Sequence, residues 1–134
     1  MKNKRLLYLI LPVIILILEI LPYGAVCNFA NPDGEPWRRT YSYFSFIPFG
    51  YANFAPILTA LLTCIVTVLL IVYCYKGKES IAMITQVVLC IAVILSLCPL
   101  FFGTNYFSIV GALITLSLAA ELFILVFTFK KTSE

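Results

Sequence analysis

At 134 residues, 63% hydrophobic and only 11% charged, the chain carries less than half the charge expected of a soluble domain. A mean hydropathy of +1.07 points to lipid as its solvent, and a length that serves four crossings of about 20 residues each leaves no room for a second domain. The net charge of +3 does not indicate nucleic-acid binding, because the nine basic residues sit in small clusters beside apolar runs and form no patch.

The pattern predicts an all-α membrane protein, a single integral domain over 1–134 built as an antiparallel four-helix transmembrane bundle. Its apolar runs fall at about 6–21, 54–75, 81–102 and 107–129. The first run is marginal as a span unless it continues past Pro22. It also has features of a cleaved signal peptide, with a basic start, an apolar centre and small Gly24 and Ala25 beyond it. Glu19 is foreign to such a segment, and Val26 is bulkier than the residue a lipoprotein site places before its cysteine. Lys2, Lys4, Arg5, Lys76, Lys78, Lys130 and Lys131 all fall on one side of this arrangement, which makes that side cytoplasmic and places both termini there. The short chain and its simple turns suggest a bacterial plasma membrane.

The outward loop, 22–53, holds half of the chain's aromatic residues when Phe54 at its border is included, enough surface for it to order itself. Asn31-Pro32-Asp33-Gly34 reads as a type I turn with Gly34 at a positive angle. It separates 25–30 from 37–46, two stretches that favour extended chain, so a short β-hairpin is the best reading. Residues 46–51 should lie along the membrane interface, with Asn53 as N-cap of the second helix and Pro56 in its first turn. Trp37, Arg38 and Arg39 are the candidate outward contact for a ligand, a lipid headgroup or a protein; the plainer reading is an aromatic belt with headgroup contacts.

Glu19 and Glu121 are the sharpest features inside the spans, because no Lys, Arg or His shares a span with them. Each must be protonated, hydrogen-bonded to neutral groups or in contact with water. Counting helical rise from the basic edges puts Thr67 level with Glu121 and Thr63 level with Glu19, with Gln86 a little nearer the cytoplasm. Thr59, Thr63 and Thr67 share one face of the second helix, predicted to point inward, with Gln86 joining Glu121 in a polar layer. Ser117 shares a face with Glu121, whereas Ser108, Gly111, Thr115 and Ala119 form a small-residue face suited to close packing within the chain or between copies. Glu19, Thr63, Thr67, Gln86, Ser117 and Glu121 therefore form the candidate intramembrane site. It serves either as a proton- or cation-linked path or as a set of neutral groups that fix helix register.

No histidine and no Cys-x-x-C spacing occurs, so no metal or cofactor is expected. Cys27 and Cys98 both fall toward the outward side, which admits a disulfide between them. The overall plan resembles that of claudin-type proteins in architecture, although their Gly-Leu-Trp-Cys-Cys signature is missing and only Trp37 and Cys27 are available. No nucleophile and base pair or phosphate loop suggests an enzyme. The expected role is that of a non-enzymatic accessory, protective or organising subunit in contact with membrane lipid and a protein partner or further copies of itself. The alternative is a small oligomeric transporter or channel that uses Glu121 and Glu19.

Overall fold

The apolar run at the amino terminus folds as a 3₁₀ turn, Leu7–Leu9, leading into α1, Ile10–Ile20, in a computed structural model that describes residues 5–132. Lys2, Lys4 and the Lys131 side chain lie outside the described part. Pro12 is tolerated in the first turn of α1, where a backbone N–H has no helical partner in any case. Pro22 ends the helix by holding Leu21 extended at ψ 137°, so the run does not continue past it. The apolar stretch Leu7–Ile20 is about 21 Å long and is the shortest of the apolar helical stretches.

Residues 25–41 form the predicted hairpin. Strands β1 (Ala25–Phe29) and β2 (Trp37–Tyr41) pair antiparallel, from Ala25 opposite Tyr41 to Phe29 opposite Trp37. Their connection is closed by the Asn31 side chain, whose Oδ1 accepts from the Asp33 N–H at 3.2 Å and whose Nδ2 donates to the Glu35 carbonyl at 3.4 Å. Because these side-chain bonds complete the turn, Gly34 does not take the positive angle expected of it; among the described glycines Gly77 and Gly103 do. β2 stops at Tyr41, short of the predicted Phe46, because Tyr43 turns inward and its N–H donates to the Glu19 carbonyl at 2.9 Å. That bond satisfies one of the carbonyls left open at the end of α1.

The segment expected at the membrane interface forms a one-turn helix, α2 (Phe46–Gly50), capped by the Ser45 hydroxyl, which accepts from the Ile47 N–H at 3.3 Å. Asn53 does not cap the next helix, as the sequence had suggested. Phe54 occupies that position, and the Asn53 amide instead reaches back to donate to the Val26 carbonyl at 3.4 Å, tying the loop to β1. Helix α3 (Ala55–Lys76) follows, with Pro56 in its first turn. It ends at Gly77, whose φ of +64° lets its N–H close on the Tyr73 carbonyl at 2.8 Å. The Arg5 guanidinium lies over the Tyr73 ring, 5.5 Å from its centre, and beside Gly77; a side chain at residue 77 would displace the mobile end of Arg5, so glycine is favoured here by its positive φ.

Helix α4 (Glu79–Leu97) tightens into a 3₁₀ stretch, Cys98–Phe102, at Pro99. Gly103 at φ +124° and a 3₁₀ turn, Thr104–Tyr106, reverse the chain into α5 (Ile109–Thr132). Neighbouring helices pack in order, α3 on α4 and α4 on α5, while α1 lies against both α3 and α5. Ile15, Leu70, Leu89, Ile114, Leu118 and Leu125 meet in the centre. Leu61, Ile65, Val68, Val87, Ile94, Leu116 and Phe123 face outward. Apolar surface this extensive is at odds with an aqueous exterior and suits lipid. Three stretches, Ala55–Lys76, Glu79–Phe102 and Ile109–Lys130, are long and apolar enough to cross a membrane, which marks the chain as a membrane protein.

All five cysteines are free. The disulfide admitted by the sequence is absent: Cys27 is buried within β1, and the Cys98 thiol turns back to the Ile94 carbonyl of its own helix at 3.5 Å.

Candidate functional site: two buried acids beneath a pinned hairpin

Glu19 is completely buried near the carboxyl end of α1, and its Oε1 accepts a hydrogen bond from the Thr63 hydroxyl of α3 at 2.7 Å. The depth match read from helical rise is thus a contact. Thr63 also lies 3.0 Å from the Thr59 carbonyl, but a hydroxyl has one proton, and the shorter distance favours Glu19. Thr59 and Thr63 are buried, as predicted for the inward face. Thr67 is half-buried and donates to the Thr63 carbonyl at 2.8 Å within its own helix, so it does not reach Glu121. Glu19 Oε2 is buried with no hydrogen-bond partner among the described residues.

Glu121 is 1% exposed, and its Oε1 likewise has no hydrogen-bond partner among the described residues. It lines a groove of about 550 Å³ between α1 and α5, together with Leu7, Tyr8, Ile10, Leu11, Ile124 and Thr128. Gln86 is not beside it. Gln86 is half-buried on α4 and lines a separate groove with Glu79, Met83, Val126, Phe129 and Lys130. The two side chains share a depth but stand on opposite flanks of α5, so the predicted polar layer does not form within one chain. Ser117 is half-buried one turn before Glu121.

The hairpin end of the molecule is held by residues whose joint role the sequence did not reveal. Tyr43 is 2% exposed and wedged between two glycines: a Cβ on Gly24 would come within 2.8 Å of its ring, and one on Gly111 within 3.3 Å of its hydroxyl. Burial, reinforced by the neighbouring Glu19 charge, raises the pKa of its phenol. Ser108 completes the joint. Its hydroxyl donates to the Gly24 carbonyl at 2.6 Å and accepts from the Gly111 N–H at 2.8 Å, capping the start of α5. The small-residue face of α5 is therefore occupied within the chain at Ser108, Gly111 and Thr115, all buried. Gly24 and Gly111, unremarkable in isolation, are the only sequence sign of this joint.

Trp37, Arg38 and Arg39 sit together at the start of β2, all exposed. Arg38 is partly engaged: its Nη2 donates to the Phe107 carbonyl at 3.3 Å, and it borders a cleft of about 480 Å³ with Asn28, Glu35, Pro36, Asn105 and Tyr106. The Asn28 amide donates across the same cleft to the Asn105 carbonyl at 3.4 Å, and Ala25 bridges to Phe107. The hairpin is thereby fixed on the beginning of α5, with Trp37 and Arg39 left outward. Comparison with protein-family models, with curated proteins and with solved structures finds no match to this chain.

Proposed function

We propose that this chain is a four-span, non-enzymatic protein of the plasma membrane that acts by contact, as an accessory or organising subunit, and not by moving ions. In this reading Leu7–Ile20 joins the three longer helices as a short span, both termini face the cytoplasm, and the hairpin with Trp37 and Arg39 stands outside. The bilayer accommodates a short span by local thinning or by flanking residues that reach the interface.

The observation that carries the reading is the apolar layer between the acids. Leu11, which lines the Glu121 groove, lies eight residues before Glu19, about 12 Å along the helix. Fully buried Ile15 and Leu118 fill that interval. A proton path needs a chain of polar groups or water, and packed Ile and Leu provide neither. Reconstituted into liposomes under a pH gradient, the purified protein should pass protons no faster than empty vesicles, and Glu121→Gln should change nothing. Proton or cation flux that Glu121→Gln abolishes would replace this reading with a transporter.

A further inference from the structure

Gln86 and Glu121 stand at nearly one depth. Gln86 lies eight residues after Lys78 and Glu121 nine before Lys130, about 12 and 14 Å from the basic edge. Glu121 presents a buried oxygen with no donor among the described residues, at a groove flanked by exposed Leu7, Ile10 and Ile124. Gln86 presents an amide that makes no hydrogen bond to any described residue, at a groove flanked by exposed Met83 and Val126. The apolar walls are at home in lipid. The two polar groups are not, since lipid offers neither donor nor acceptor.

We propose that the protein self-associates head to tail in the membrane, the Gln86 amide of one copy donating to the Glu121 carboxyl of the next. A second copy is the occupant this chain itself specifies. Copies share one orientation across the bilayer, so groups at equal depth meet, and a carboxamide is a geometric match for a carboxyl. Donor and acceptor lie on different flanks of α5, so the contact is heterologous, and repeated about an axis along the membrane normal it closes into a ring. Between apolar walls that lipid also satisfies, the polar pair is the element that sets register, as interhelical Gln bonds do in lipid. The inference rests on the membrane-embedded reading above.

The test counts copies of the full chain extracted with its lipid into polymer nanodiscs, by stepwise photobleaching of one fluorophore per chain. The wild type should be multimeric. Glu121→Leu and Gln86→Leu, each expressed alone, should be single copies. Coexpressed, the two variants should form dimers with one of each and nothing larger, because a single intact Gln86 and Glu121 pair remains between them. The reciprocal chain carrying Gln86→Glu and Glu121→Gln together should restore the multimer. Gln86→Leu changes a half-exposed side chain and guards against a folding artefact at Glu121, with helix content by circular dichroism as the control. Single copies for the wild type, or multimers that survive Gln86→Leu, overturn the proposal while leaving membrane embedding intact. Release of the chain from membranes by alkaline wash would instead overturn the embedding.

Discussion

Tyr43→Ala should lower the stability of the purified protein in detergent by about 3–5 kcal/mol, the cost typical of truncating a buried aromatic side chain to alanine. Tyr43 is the largest of the fully buried side chains among the described residues, and it joins α1, the hairpin and the start of α5. Its N–H closes α1 through Glu19, its ring fills the space above Gly24, and its hydroxyl meets Gly111. Removing the ring leaves a void that glycine backbones cannot fill, and it leaves the polar contacts at Asn105, Phe107 and Ser108 to hold the hairpin on the start of α5. Tyr43→Phe keeps the ring and removes a hydroxyl that makes no hydrogen bond to any described residue, so it should lose far less. The check is an unfolding titration with a denaturing detergent followed by circular dichroism. If Tyr43→Ala and Tyr43→Phe unfold together, the ring is not the pin.

The second large effect is an asymmetry across the Glu19 and Thr63 pair. Thr63→Val preserves shape and removes the one donor that Glu19 has, leaving both buried carboxyl oxygens without a partner. The expected loss is about 1–3 kcal/mol. Glu19→Leu removes both oxygens at once, and the Thr63 hydroxyl keeps the Thr59 carbonyl at 3.0 Å, so this variant should be near neutral. The double variant should then resemble Glu19→Leu alone, and the cycle should show a coupling of about the size of the Thr63→Val loss. Equal damage from the two single variants would mean that Glu19 matters for more than its contact with Thr63.

Much of this architecture could be read before the structure, and the reasons are local. Asn31-Pro32-Asp33-Gly34 specifies a reversal through its own side chains, which is why the hairpin was legible. Glu19 and Thr63 were matched by depth alone, and rise along a helix is fixed by backbone geometry. Rotation about the helix axes was not accessible in that way. Gln86 and Glu121 agree in depth yet occupy different grooves, because which flank of α5 each faces depends on how α1 and α4 pack around it. The length of α1 was set by the backbone restriction that Pro22 places on Leu21, and the sequence left that point open. Tyr43 was hidden for a different reason. Its partners Gly24 and Gly111 lie far from it along the chain, and a glycine shows in sequence only that something comes close, not what. Asn53 shows competition for one side chain, since a good N-cap residue was taken up by the Val26 carbonyl instead.

The proposed function requires lipid around the helices, with the hairpin on one face of the bilayer and the termini on the other. Single cysteines at Gly34 in the hairpin connection and at Lys78 between α3 and α4, in chains whose native cysteines are replaced by alanine, can be labelled in intact cells with a membrane-impermeant maleimide, alongside epitope tags on both termini. Gly34 accepts a side chain without crowding, since a Cβ there would lie 3.8 Å from its nearest neighbour, the Asn31 amide. Labelling at residue 34 alone, with residue 78 and both tags reached only after permeabilisation, is the predicted result. Termini that report opposite faces of the bilayer, or residues 34 and 78 that label together from outside, would contradict it.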